Sequence, residues 1–366
     1  MIYFFWVLIL ISAYTYIGYP ILLTLIACVF TRKIAKGQTY PHISLIIAAH
    51  NEEKDIARKI EDSLALDYPQ DKYEIIVVSD GAEDKTNEIV MSYQDKGVKL
   101  VALSERKGKT SAQNEAVKAA LGDILIFSDA TTVFQKDTIK QMVSNFADNK
   151  IGGVGAELVY VNRNNTAVGE GTGLYWKYEK FLRKKESDIS SLIGVSGCAY
   201  AIRKDLYENI DSSLISDFVV AQMIYSKGKR VVFEPEAIVF EETNSEIKDE
   251  FKMRVRVATR SLYGLWYMKK LLNPFKYRMY AIQLISHKVL RYLMPVFLIL
   301  LFFTNQLLLG RGIGYQLFFG AQVLFYLSAM IGGMPKYFCT MNLALLVALV
   351  NFLRGEKNIT WQPVRK

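Results

Sequence analysis

The sequence predicts an α/β protein, a mostly parallel sheet with helices on both faces, flanked by transmembrane helices. Three observations predict it. Residues 2–30 carry no charged side chain. From residue 41 to residue 244, short apolar runs alternate with polar helical stretches, the rhythm of strand–helix–strand units. Beyond Leu290 two more apolar runs follow a strongly basic stretch. Composition agrees: 51% of the 366 residues are hydrophobic and 22% are charged, too apolar a balance for a disordered chain.

Taken in order, residues 1–32 read as an N-terminal transmembrane anchor. The uncharged run is long enough to cross roughly 30 Å of hydrocarbon, and it lacks the basic start of a secretory signal. Arg32, Lys33 and Lys36 follow it, which puts this flank inside and the N-terminus outside. Residues 41–250 then read as a cytoplasmic α/β domain, with strands at 43–48, 74–79, 98–103 and 124–128 and helices at 52–66, 85–96 and 109–121.

Residues 251–288 read as basic interfacial helices. Between Lys252 and Arg291 lie ten Lys and Arg and no Asp or Glu; without them 35 basic residues face 36 acidic ones, so the net charge of +9 is local. Such a stripe beside apolar segments suits anionic lipid headgroups, whereas a nucleic-acid-binding protein spreads its charge over a polar surface. Membrane lipids, and no nucleic acid, are the expected partners. Residues 289–334 supply two transmembrane helices, 290–309 and 313–334, joined by Gly310-Arg311-Gly312. Within 335–366 the apolar run 337–353 is shorter and carries Asn342 and Asn351. Three full spans leave Arg354, Lys357, Arg365 and Lys366 inside, as positive charge prefers. The run is therefore expected to be a re-entrant or interfacial helix before a cytoplasmic tail.

Ligands of parallel sheets bind at the carboxyl ends of the strands. Two carboxylates stand there, Asp80 in Ser79-Asp80-Gly81-Ala82-Glu83-Asp84 and Asp129 in Ser128-Asp129-Ala130-Thr131-Thr132. A carboxylate at the end of a buried strand is costly unless it binds something, so the pair can hold a ribose or base and a divalent cation; the alternative is that each caps the next helix. No Gly-x-Gly-x-x-Gly follows the first strand, and Gly108-Lys109-Thr110 lacks the upstream glycine of a phosphate-cradling loop. Cys28, Cys198 and Cys339 have no metal-ligand or disulfide-framework spacing.

The motifs occur in order: Ala48-Ala49-His50-Asn51-Glu52-Glu53, Val78-Ser79-Asp80, Arg106-Lys107-Gly108-Lys109 with Asn114, Ser128-Asp129-Ala130-Thr131, Ser196-Gly197, Ser216-Asp217 and Glu234-Pro235-Glu236-Ala237. Together they resemble the membrane-bound family 2 glycosyltransferases, related to cellulose, chitin and hyaluronan synthases. The resemblance implies a GT-A-type (Rossmann-like) fold and transfer of a sugar from a nucleotide-sugar donor. The acceptor it implies is a lipid-linked saccharide or glycan, and the site an inner-membrane enzyme. Glu52 and Asp80 would hold the nucleoside, Lys109 and Asn114 would line the donor site, and Asp129 with Thr131 would ligate Mg²⁺ or Mn²⁺, since hard cations take oxygen ligands. Asp217 would be the base that takes the acceptor's proton in one inverting displacement, or a helix cap, or both. Arg256 and Arg260 would contact substrate, Arg260 clamping the diphosphate.

Two departures stand out. The family's Asp-x-Asp is Asp129-Ala130-Thr131 here, and its Gln-x-x-Arg-Trp aligns with Val257, Arg260 and Ser261. They motivate one alternative, an inactive membrane scaffold, and the missing tryptophan removes a stacking platform for an acceptor sugar, which counts against the other alternative, a processive synthase with coupled export. Tyr175, Trp176 and Tyr178 stack on sugar or belong to the core, Glu241-Glu242 matches an acidic pair of relatives or forms a solvated turn, and Trp361 anchors at the interface or orders the tail.

Overall fold

The protein, described here from a computed structural model, is defined over residues 1–161, 167–242 and 247–357, without the side chains of 167–172, 174 and 247. Trp361, Arg365 and Lys366 lie outside the described residues. The chain opens with α1 (Ile2–Ala13), a π-helical turn (Tyr14–Gly18) and α2 (Tyr19–Val29). The sheet domain follows as β1 (Ile43–Ala49), α3 (Ile56–Leu64), β2 (Tyr73–Asp80), α4 (Thr86–Met91), β3 (Val98–Leu103), α5 (Lys109–Ala119) and β4 (Ile124–Asp129). It continues as β5 (Val133–Phe134), α6 (Thr138–Ser144), β6 (Ile151–Val161), α7 (Ala167–Ile189), β7 (Ala199–Arg203), α8 (Ser216–Ser226) and β8 (Arg230–Glu242). Then come α9 (Ile247–Tyr267), α10 (Pro274–Leu284), a second π turn (Ile285–Val289), α11 (Leu290–Leu307), α12 (Ile313–Ile331) and α13 (Gly333–Leu353).

The eight strands form one mixed sheet in the order β3-β2-β1-β4-β7-β6-β8-β5. β1–β2, β2–β3, β1–β4 and β6–β8 pair parallel, whereas β7 is antiparallel to β4 and β6, and β5 to β8. The first strands read as continuous apolar runs because both faces are covered. Alternate residues serve opposite faces: Ile46, Ile76 and Phe127 pack with α5 and α8 residues such as Ala112 and Val219, while Leu45, Ile47 and Val77 pack with Ile56, Ile60 and Met142.

All three helices expected between the first strands are shorter than their sequence pattern predicts, the one expected at 109–121 by two residues and the first two by more. The first begins at Ile56 rather than 52, because residues 50–53 are engaged in the loop described below. The second stops at Met91, and after a 3₁₀ turn at Gln94–Lys96 the chain reverses at Gly97, whose φ of 82° favours glycine.

Four helices are long and apolar enough to cross a membrane: Ile2–Val29, Pro274–Leu307, Ile313–Ile331 and Gly333–Leu353. The apolar run that starts at Leu290 is thus the distal part of a longer helix, and the last one is four residues longer at its start than the expected 337–353. None of the α12 residues is buried, and Leu317, Leu324 and Ile331 are exposed, a surface that suits lipid.

Where α2, α7 and the second π turn meet, the packing is ionic. His287, 1% exposed, sits between Glu186 Oε1 at 2.8 Å and Glu179 Oε2 at 3.2 Å. The Tyr19 hydroxyl donates to Glu186 Oε1 at 2.6 Å and Arg291 to Glu179 Oε2 at 3.1 Å. Burial alone raises the Glu179 carboxyl, but His287 and Arg291 beside it hold it well below the ordinary value. The two π turns also touch, Tyr14 Oη lying 2.8 Å from Ser286 Oγ.

Candidate active site

β1, β2 and β3 step outward in one direction and β4 returns to the other side of β1. That reversal opens a crevice at the carboxyl ends of β1 and β4, where ligands of open α/β sheets bind. Three loops meet there. After β1, Asn51 takes a φ of 54°, a left-handed conformation asparagine tolerates, and its Oδ1 accepts from Glu83 N at 2.9 Å. His50 Nδ1 lies 2.7 Å from Asp80 O, and Glu52 N donates to Thr86 Oγ1 at 2.7 Å.

Asp80 is buried and caps no helix: Lys107 N and Gly108 N donate to its two carboxylate oxygens at 2.7 and 2.8 Å. It therefore fixes the approach to α5, which starts at Lys109. The turn after it requires Gly81, with φ +60°, because a Cβ there would lie 2.6 Å from Arg106 N. The Lys109 ammonium forms an ion pair with Asp129 and donates to Gly197 O at 3.1 Å. Burial works to lower the lysine, but Asp129 outweighs it and the net shift is upward. Asp217 and Lys109 meet the same bare face of Gly197: a Cβ there would stand 2.7 Å from Asp217 Oδ2 and 3.4 Å from Lys109 Nζ. The site thus keeps open space between a cation and a carboxylate.

Asp217 lies in the first turn of α8, whose N-cap is Ile215, so the expected capping role is absent. Burial raises its carboxyl against the lowering effect of Lys109 and Arg260, as suits a proton acceptor. Arg256, pushed down to about 10 by burial and by Arg260, is near enough to Asp129 and Asp217 for both to act on it.

Two residues expected to contact substrate are bonded within the protein to the segment before α8. Arg260 is buried, and its Nε and Nη2 are directed at Ser212 O (3.0 Å), Ser213 O (3.4 Å), Leu214 O and Thr110 Oγ1 (3.1 Å). It ties the loop that leads into α8, the helix that carries Asp217. Asn114 donates to Ile210 O at 2.8 Å and accepts from Tyr207 Oη at 2.7 Å, bracing the same segment. Thr131 is a half-buried turn residue. The groups the fold gathers at Asp129 are Cys198 and Glu241, one ligand atom of each lying within 4.8 Å of the others. Cys198 Sγ donates to Glu241 Oε2 at 2.9 Å; burial and Asp129 push the Glu241 carboxyl up to about 7. Sequence spacing gives no sign of Cys198, and of Glu241 only the acidic pair. Trp176 stacks on Tyr160 at 5.5 Å, an internal contact of the β6–α7 region.

Residues 44–210 match the family model described as glycosyl transferase family 2. Over 260 residues the chain is 28% identical to a probable glycosyltransferase, YdaM, of Bacillus subtilis strain 168, covering 64% of this chain and 59% of that protein. Over 222 residues it is 27% identical to a poly-beta-1,6-N-acetyl-D-glucosamine synthase of Staphylococcus aureus strain COL, covering 59% and 53%. The matches thus span rather more than half the length of these curated relatives. Among solved structures, a mannosyltransferase from Pyrobaculum calidifontis in complex with GDP-Man and Mn²⁺ superposes with a TM-score of 0.77 at 21% identity. That superposition covers 96% of this chain and 99% of the other, so the overall fold is shared, the long apolar helices included.

Proposed function

The chain carries a family 2 glycosyltransferase domain, and from that premise we propose a metal-dependent, inverting transfer of a sugar from a nucleotide-sugar to a lipid-linked saccharide or polysaccharide. The observation that carries this reading is the arrangement at the crevice, where Lys109, paired with Asp129, and Asp217 meet at the bare face of Gly197. Asp217 takes the proton of the acceptor hydroxyl as its oxygen bonds to the anomeric carbon. The bond from that carbon to the diphosphate oxygen breaks, releasing the nucleoside diphosphate with inversion. Lys109 offers its ammonium to the leaving diphosphate, with Arg256 close by, and Glu52 and Asp80 face the nucleoside. A divalent ion suits the Asp129 carboxylate and would neutralise charge developing on the leaving group; the lysine cation already drawn to that carboxylate fits such a place.

We place the enzyme in the inner membrane with its sheet domain in the cytoplasm, where activated sugars are made. The anionic-lipid contact falls to the exposed Lys269, Lys270, Lys276 and Arg278 that follow α9, and α13 packs along α9 instead of leaving it. Ala348 packs on Ala258 and Leu262, and Tyr263 Oη donates to Phe352 O at 3.4 Å. This supports the re-entrant reading, under which a reporter fused after residue 366 is read on the cytoplasmic side; a periplasmic signal would make α13 a fourth span.

Release of nucleoside diphosphate by the detergent-purified protein, over a panel of UDP- and GDP-sugars with Mg²⁺ or Mn²⁺ and lipid extract, tests the reaction. Turnover with one donor, abolished by Asp217→Asn and by chelator, is the expected result; unchanged transfer by Asp217→Asn overturns the base. The likeness to a poly-beta-1,6-N-acetyl-D-glucosamine synthase favours a second reading, processive synthesis, and product length separates it from single addition.

A further inference from the structure

We propose that Glu241, and not Thr131, supplies the second protein ligand of the divalent ion at Asp129, and that the Cys198 thiol positions it. The inference rests on the reading of Asp129 as a metal ligand. Hard divalent cations bind anionic oxygens, and the turn after β4 supplies one carboxylate where an Asp-x-Asp would supply two. The fold makes good the missing acid from another strand. Parallel pairing of β6 with β8 sets Glu241 opposite Tyr160 near the end of β8. Antiparallel pairing of Ser128 with Ala199 brings Cys198 beside Asp129. The three ligand atoms then fall within 4.8 Å of one another, a spread one ion can bridge.

The residues fit a cation on a separate ground. In the structure a positive group already sits on Asp129, the Lys109 ammonium, which also donates to Gly197 O at 3.1 Å. The thiol has a defined part: Sγ donates to Glu241 Oε2 at 2.9 Å. Outer-shell donors of this kind fix the direction of a ligating carboxylate. Manganese and magnesium prefer oxygen to sulfur, so the carboxylates bind the ion and the thiol orients one of them.

The test is Mn²⁺ alone, titrated into the purified full chain in detergent and read as loss of the free-ion electron paramagnetic resonance signal, with a thermal melt of each variant. Glu241→Gln is expected to weaken binding on the order of tenfold or more, Glu241→Asp to recover part of it, and Thr131→Ala to bind as the unaltered protein does. Cys198→Ser, which keeps a donor, is expected to bind normally, while Cys198→Ala binds severalfold more weakly. Loss of binding in Cys198→Ser would make the sulfur a ligand and overturn its positioning role. Loss in Thr131→Ala with Glu241→Gln unaffected would return the ligand to the turn after β4. If both variants bind normally and Asp129→Asn does not, Glu241 is wrong and the metal reading stands. If Asp129→Asn also binds normally, the metal reading itself falls.

Discussion

The parallel half of the sheet and the junction where α2 and α7 meet the helix through His287 are both buried, yet they are held by opposite means. In β1–β4 the interior is aliphatic: Leu45, Ile46, Ile47, Ile76 and Val77 are fully covered, and each contributes through area removed from water. At the junction, Glu179, Glu186 and His287 are equally buried, with Tyr19 donating to Glu186 and Arg291 to Glu179. An aliphatic interior loses stability in small steps as methyl groups are removed. A buried ionic cluster behaves as a unit, because deleting one member leaves the others charged and desolvated.

The comparison is broken most forcefully by His287→Ala. It leaves two glutamates facing each other without their shared partner and is expected to cost about 3–5 kcal/mol, read as a large drop in the detergent melting temperature. A loss no greater than that of a core truncation would show the cluster to be dispensable. Next in size is Arg260→Ala, which removes the donors facing Ser212 O and Leu214 O. Turnover is expected to fall on the order of a hundredfold, as when a reacting group is misplaced by about 1 Å, with donor affinity little changed; a rise in KM alone would instead indicate the diphosphate role. On the aliphatic side, Ile46→Val should cost only about 0.5–1.5 kcal/mol and leave turnover intact. The mildest perturbation is pH. Asp217 must be ionised to accept a proton, and burial raises its carboxyl, so turnover falls with acidification from a higher pH than an ordinary carboxylate, near 4, would set. A limb lying below that value would argue against Asp217 as the base.

The same contrast governs what could be read before the structure was known. The strands expected at 43–48, 74–79, 98–103 and 124–128 announce themselves because a two-sided buried strand is a continuous apolar run, and Asp80 and Asp129 are conspicuous as the polar residues that follow two of them. β6 is harder to recognise, since Gly152, Gly153 and Gly155 interrupt its apolar run. Residue types at the site were legible, partners were not. Asn114 and Arg260 are the right kinds of side chain for binding substrate, yet each is bonded to the segment before α8, and only the fold shows which carbonyls it meets. Cys198 and Glu241 converge on Asp129 from positions whose separation matches no motif, because sheet register and not sequence interval brings them together. His287 offers still less: one histidine in an apolar stretch gives no notice of the two acids from α7 that surround it.

Arg260 belongs to α9, outside the sheet domain, yet its guanidinium reaches Thr110 on α5 and the carbonyls that precede α8. The membrane-side half is therefore not an exchangeable tether. A soluble fragment cut before α9, or a chimera with another protein's helices grafted there, keeps all eight strands and every acid discussed above. It loses the brace that holds the proton acceptor in register with the donor crevice. Such a product also leaves Glu179 and Glu186 without His287 and Arg291, so it is expected to lose stability as well as turnover. Recombination among relatives is accordingly expected to succeed only where the exchanged piece begins after Arg291, so that Arg260 and the partners of Glu179 and Glu186 stay with the sheet domain.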